Sequence, residues 1–265
     1  MRRLVRVLGT TIAILAVGYL GLVALAFFAQ RSLLFPAPPQ TAQPSSASRV
    51  IELPETVLLV RSPPTPTAPV VLHFHGNGEQ LAWTEWMGVA YQQHGVGFVA
   101  VEYPGYGLAR GKGATSEASI VAAAEAALKY LQTVMGVPNE RLIVSGQSLG
   151  SGAAVELARR GIGARVVLLT PYTSLPDVAA GALPFLPVRL LMRDRFDSAS
   201  KAAEVRQPVL IIHGTDDEVV PWALGERLSR LLPSAKLVTI AGGQHNDVAS
   251  REDVWQVLAP FVLGR

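Results

Sequence analysis

Leu142-Ile143-Val144-Ser145-Gly146-Gln147-Ser148-Leu149-Gly150-Ser151-Gly152-Ala153-Ala154 carries an apolar, β-branched run through G-x-S-x-G into small residues suited to the opening of a helix. A tight strand-to-helix turn brings two backbones together, so the positions two residues either side of its centre must lack bulky side chains. Gly146 and Gly150 meet that need. A serine between glycines is by itself an ordinary turn. Set between a strand and a helix, Ser148 reads as an exposed nucleophile, with the first N–H groups of the helix and their partial positive charge beside it.

A serine hydroxyl is a weak nucleophile until a base takes its proton, so a histidine and an orienting acid are expected downstream, the acid first. His213-Gly214-Thr215-Asp216-Asp217-Glu218-Val219-Val220-Pro221 leaves one apolar strand, and Gly242-Gly243-Gln244-His245-Asn246-Asp247 leaves the next. Spacing alone does not choose among Asp216, Asp217 and Glu218. Of the five histidines, only His245 sits in a Gly-flanked loop beyond the acids, which makes it the expected base. His73 lies within a strand and reads as packing, His94 as a solvated helix end, and His75 and His213 as residues that hold loops. Further upstream, His73-Phe74-His75-Gly76-Asn77-Gly78 ends a strand where glycine lets the backbone aim N–H groups at a reacting carbonyl. The backbone N–H groups of Asn77 and Leu149 are the expected oxyanion donors.

Working outward, short Val- and Ile-rich runs alternate with helical patterns, which indicates an α/β architecture: a mostly parallel sheet with helices on both faces. Eight strands are expected at 50–53, 57–61, 70–75, 97–102, 141–146, 165–170, 208–213 and 236–240, the first two an antiparallel pair. Apolar positions 120, 124, 128, 131 and 135 predict a helix over Glu117–Met135, capped by Thr115 or Ser116 and stopped at Gly136. Other helices are expected near 79–93, 149–160, 223–232 and 251–263. An apolar insert over 171–207, with Leu183-Pro184-Phe185-Leu186-Pro187 and Leu190-Leu191-Met192, reads as a small cap over an acyl-binding site.

The N-terminal region is different in kind. From Leu8 to Phe28 run 21 uncharged residues, a helix of roughly 31 Å that matches the hydrocarbon thickness of a bilayer. Arg2, Arg3 and Arg6 precede it and only Arg31 follows closely. The positive-inside bias therefore puts the N-terminus in the cytoplasm and the rest on the non-cytoplasmic side, periplasmic in a bacterium. A cleaved signal peptide is the rival, given Ala24-Leu25-Ala26, but the run exceeds the usual h-region. Residues 1–35 are thus expected to be a membrane anchor spanning 8–28, residues 36–49 a Pro- and Ser-rich linker, and residues 50–265 the folded domain.

Composition narrows the function classes. The first 51 residues hold five Arg and no acid, leaving 18 basic and 20 acidic residues in the remainder. A near-neutral domain offers no basic groove, so no nucleic-acid partner is expected. Absence of cysteine excludes disulfides, thiolate metal sites and a cysteine nucleophile. No metal and no organic cofactor is expected.

At these residues the chain resembles the α/β-hydrolase superfamily, and more narrowly its membrane-anchored subgroup whose eukaryotic members include depalmitoylating thioesterases. The matching stretches are Arg31-Ser32-Leu33-Leu34-Phe35-Pro36, His75-Gly76-Asn77-Gly78, Tyr103-Pro104-Gly105-Tyr106-Gly107, Gly146 to Gly152, Thr170-Pro171-Tyr172-Thr173-Ser174, His213 to Pro221 and Gly243 to Asp247. The resemblance implies the eight-stranded α/β-hydrolase fold. Its His-Gly-x-x-Asp-x-x-x-Pro pattern places the acid on Asp217, and it supports Asn77 and Leu149 as oxyanion donors. The chain departs from the family's pattern at Leu108-Ala109-Arg110, where a polar or charged residue usually follows Gly-Tyr-Gly, and at Glu102, where many members have Asp.

The implied triad is Ser148, Asp217 and His245, acting through an acyl-enzyme. The substrate is expected to be an ester or thioester of a small, acylated or lipid-like molecule, with the bilayer itself a partner of the N-terminal helix. A serine peptidase and a non-catalytic binding protein on the same scaffold are the alternatives.

Overall fold

All eight expected strands form, each with ends no more than one residue from the expected ones: β1 (Arg49–Glu52), β2 (Val57–Arg61), β3 (Val70–Phe74), β4 (Gly97–Val101), β5 (Leu142–Gln147), β6 (Arg165–Leu169), β7 (Val209–Gly214) and β8 (Ala235–Ile240). The computed structural model describes residues 2–265. The strands make one sheet in the order β1-β2-β4-β3-β5-β6-β7-β8. β1 with β2 and β2 with β4 pair antiparallel, and every other pairing is parallel.

Alternate residues of each strand enter opposite cores, as a side-chain period of two requires. Leu58, Val60, Leu72, Phe74 and Val144 belong to one apolar cluster, and Val57, Leu59, Val71, Phe98 and Ile143 to the other. Central strands buried on both faces read as nearly unbroken apolar runs for this reason.

The helices are α1 (Arg2–Leu34), α2 (Glu85–Gln93), α3 (Glu117–Thr133), α4 (Leu149–Arg159), α5 (Leu175–Ala182), α6 (Val188–Leu191), α7 (Ser198–Lys201), α8 (Trp222–Leu231) and α9 (Glu252–Leu263). In α3 the buried residues Ile120, Ala123, Ala124, Ala127 and Leu131 lie on one stripe, and Ser116 and Ser119 close a reciprocal cap. α3 stops at Thr133, short of the expected Met135, because Val134 and Met135 both donate to the Tyr130 carbonyl and Gly136 turns left-handed at φ 62°. The helix expected from 79 begins only at Glu85, after a 3-10 turn over Leu81–Thr84. There the Leu81 N–H is held by the Glu102 carboxylate at 3.1 Å.

Residues 36–49, read from composition as a tether, are laid against the domain. Arg110 donates to the Pro38 and Pro39 carbonyls, Gln80 bonds to both Ala42 N–H and Gln40 O, and Glu85 accepts from Ser45 and Ser48. The segment is a strap. α1 ends against the same surface: Phe35 is buried, Asn77 Nδ2 donates to Leu34 O at 2.7 Å, and Arg31 pairs with the buried Asp194 at 2.8 Å. α1 is long and apolar enough to cross a membrane.

Candidate active site

The sheet order reverses between β3 and β5, since β3 is followed by β4 on one side and β5 lies on the other. In open α/β sheets the crevice beyond the carboxyl ends of such strands is where ligands bind. Ser148 follows β5 and Asn77 follows β3. Phe74 and Gly146 are register partners, so Asn77 and Leu149 each stand three residues beyond a matched pair.

At the end of β5 the chain turns through Ser148 at φ 48° and ψ −117°, a strained conformation costing of order 1–3 kcal/mol that tends to persist at functional sites. The turn is tight enough that a Cβ on Gly146 would lie 2.3 Å from Gly150 O. One on Gly150 would lie 2.1 Å from Phe74 O of the neighbouring strand. The second glycine therefore clears β3, a contact that the motif alone does not reveal.

Ser148, His245 and Asp217 come together although they are far apart in sequence. His245 Nε2 lies 2.9 Å from Ser148 Oγ, and His245 Nδ1 lies 2.7 Å from Asp217 Oδ2. A carboxylate can only accept, so Nδ1 carries the proton and Nε2 is free to accept from the hydroxyl. Asp217 Oδ1 accepts from Val219 and Val220 N–H at 2.9 and 2.7 Å. Burial acts to raise the Asp217 carboxyl, but hydrogen bonds from His213, His245 and Val220 N–H outweigh it and hold the group well below the usual carboxylate range. Asp216 and Glu218, the two neighbours that spacing could not exclude, are exposed.

His213 and His75 hold loops as their sequence setting suggests, and further supports come from residues given no such role there. His213 Nε2 lies 2.9 Å from Val220 O and 3.2 Å from Asp217 Oδ2, so the strand-end histidine holds both the loop and the acid. Tyr103 and Tyr106 donate to His75 O at 2.6 Å and Asn77 Oδ1 at 2.7 Å, fastening the turn that bears Asn77. Glu102 binds His75 Nε2 at 3.1 Å and accepts from Leu81 and Leu108 N–H. Burial lowers the His75 pKa, but the adjacent Glu102 overrides this and raises it. Glu102 thus ties three loops together. His94, exposed as expected, stacks on Trp255.

The insert beyond β6 touches the elbow through Tyr172, whose hydroxyl donates to Leu149 O at 3.1 Å, and through Phe196, which packs on Gly152. Its apolar cavity does not border Ser148. The cavity lies between the insert and the last turns of α1, lined by Phe27, Leu34, Leu183, Leu191 and others. Among the described residues no group of three or more His, Cys, Asp or Glu is arranged to hold a metal ion.

Comparison with solved structures gives a superposition on the Pyrococcus furiosus esterase Pf2001 with a TM-score of 0.69, covering 86% of this chain and 98% of that one at 16% identity. This chain is an α/β-hydrolase-fold protein. The family model for the alpha/beta hydrolase fold matches residues 188–251. An uncharacterized protein of Mycobacterium tuberculosis is 36% identical over 182 residues, covering 68% of this chain and 64% of the relative. Alpha/beta hydrolase domain-containing protein 17C of Xenopus tropicalis is 34% identical over 196 residues, covering 72% and 61%. The chain spans less than two thirds of the length of these curated relatives.

Proposed function

We propose that the protein is a serine hydrolase, held at a membrane by α1, that cleaves an ester or thioester of an acylated or lipid-like molecule through an acyl-enzyme on Ser148. The observation that carries this reading is the unbroken chain of hydrogen bonds from Ser148 through His245 to Asp217, with the serine at a strained elbow. Ser148 Oγ attacks the acyl carbonyl as His245 Nε2 takes its proton, and Asp217 keeps the imidazole in the required tautomer. The N–H groups of Asn77 and Leu149 receive the oxyanion. His245 then protonates the leaving group and activates the water that releases the acid.

The ester preference is supported by the esterase identity of the Pyrococcus protein that shares the fold, and the lipid-like character by the apolar insert and α1. Arg2, Arg3 and Arg6 ahead of the apolar run support an N-terminus on the cytoplasmic side and a catalytic domain beyond the membrane.

The test is labelling with a fluorophosphonate probe together with turnover of p-nitrophenyl esters and acyl thioesters. The wild-type protein should label and turn over at least one of them. Ser148→Ala should lose the label and about 10⁶-fold in turnover with an unchanged thermal melt. A variant that still turns over at more than a small fraction of the wild-type rate overturns the assignment.

A further inference from the structure

We propose that the insert between β6 and β7 is a second membrane-contacting element, which seats the stretch from Leu183 to Leu191 among the acyl chains of the leaflet that α1 enters. This rests on the anchor reading of α1.

The depth of the insert follows from what it touches. Tyr19 Oη donates to the Phe185 carbonyl at 3.0 Å. Tyr19 lies nine residues inside the end of the apolar run at Phe28, about 13 Å along the helix axis. A helix whose run from Leu8 to Phe28 occupies hydrocarbon therefore carries Phe185 below the surface with it. The packing face of α1 says the same, because Val23, Ala26, Phe27 and Gln30 are half-buried at helical spacing while Leu22, Leu25 and Phe28 are exposed. Much of that face lies within the apolar run.

Polarity changes at the same level on both partners. α1 passes from apolar residues to Gln30 and Arg31, and the insert passes from Leu190-Leu191-Met192 to Arg193 and Asp194. The two polar edges are joined directly, by Arg193 N–H to Gln30 Oε1 at 2.8 Å and by Arg31 to Asp194 at 2.8 Å. Arg189 is the charge within the apolar stretch, and its guanidinium turns back to pair with Asp177, as snorkelling side chains do.

Below that edge the insert exposes Leu183, Phe185 and Leu190, the last two at 58% and 82%. Exposed within eight residues of one another, such side chains mark an interaction surface. Between the insert and α1 lies a cavity of about 180 Å³, lined by apolar side chains such as Leu183, Leu186 and Leu191, with Gln30 the one polar exception. An open pocket of that apolar character accepts an apolar ligand. A lipid acyl chain matches the cavity and the exposed stretch together, and continuity with α1 brings it within reach.

The chain has no cysteine, so single cysteines introduced in the full-length protein can each be labelled with bimane. The positions are Leu15→Cys in α1, Phe185→Cys and Leu190→Cys in the insert, and Val134→Cys as a distant exposed site. Val134 is 66% exposed and lies about 25 Å along α3 from Glu117, whose carboxylate binds the insert at Arg195 and Phe196 N–H. Each labelled protein, checked by thermal melt, is reconstituted in phosphatidylcholine vesicles with and without spin-labelled acyl chains.

The expected result is loss of fluorescence at 15, 185 and 190 and none at 134. Quenching at 15 with both 185 and 190 unquenched and open to aqueous iodide overturns the proposal while leaving the anchor intact. No quenching at 15 overturns the anchor reading and this proposal with it.

Discussion

The elbow at Ser148 and the seam between α1 and the insert are both close contacts, made by opposite means. At the elbow, backbone meets backbone: Gly146 faces Gly150 O and Gly150 faces Phe74 O with no room for a methyl group. Around it, the buried carboxylates of Asp217 and Glu102 each bind several protein donors. At the seam, apolar side chains meet across a few side chain–backbone hydrogen bonds, such as Tyr19 Oη to Phe185 O and Arg193 N–H to Gln30 Oε1, and apolar residues such as Phe185 and Leu190 remain uncovered. The elbow is therefore specified by sterics and hydrogen bonding, which tolerate little change. The seam rests more on apolar area, pinned by a few polar contacts, and so tolerates more change.

The largest effect should come from the network at the elbow. Asp217→Asn should lower ester turnover by roughly 10⁴-fold, because an amide favours the wrong histidine tautomer. Asp216→Asn and Glu218→Gln, at exposed positions on the same loop, should stay near wild type. A crippled Asp216 variant would break the assignment of the acid.

A pair of glycine substitutions sharpens the contrast. Gly150→Ala should destabilise the fold by about 3 kcal/mol through overpacking against β3. Gly181→Ala in α5, where a Cβ would meet nothing within 4 Å, should instead stabilise it by up to about 1 kcal/mol through helix propensity. Chemical denaturation reads both, and equal effects would contradict the distinction.

Acid should also act on the central sheet first. Burial draws the His73 pKa down from 6.5 to about 3, so the folded state resists a proton that the unfolded chain accepts. Stability from this group is complete above 6.5 and falls as the pH drops through the window towards 3. His75, shifted upward, adds no slope below 6.5. The melting temperature should therefore decline between pH 6.5 and 4.5, and His73→Gln should flatten that slope.

The smallest loss of stability belongs to the seam. Arg31→Gln removes an ion pair with Asp194, but the arginine side chain is 48% exposed. Asp194 is buried but keeps the Glu117 N–H as a donor, so the loss should cost about 1–2 kcal/mol, measurable in a thermal melt in detergent.

The sheet was legible because Val- and Ile-rich runs such as Val70–Leu72 and Val209–Ile212 have little choice but to be buried strands. The elbow was legible because glycines two residues either side of a serine state a steric need in sequence. Resemblance, and not spacing, separated Asp217 from its acidic neighbours. The hydrogen bond from His213 to the acid and those from Tyr103 and Tyr106 to the 75–77 turn were not legible, since they join residues that only the fold brings together. Residues 36–49 were misread for a related reason. Much of what holds the strap is backbone, at Pro38 O, Pro39 O, Gln40 O and Ala42 N, gripped by the remote side chains of Arg110 and Gln80. Composition looks the same whether such carbonyls are free or held.

That strap also sets a bearing for the domain relative to α1. Phe35 is sunk in the core just past the end of α1, and Asn77 grips Leu34 O at the point where the helix ends. The joint is held on both sides, by packing at Phe35 and by the hydrogen bond to Leu34 O. The carboxyl ends of the strands thus point in one direction relative to the axis of α1. Lengthening residues 36–49 would slacken the strap without giving the domain a longer arm.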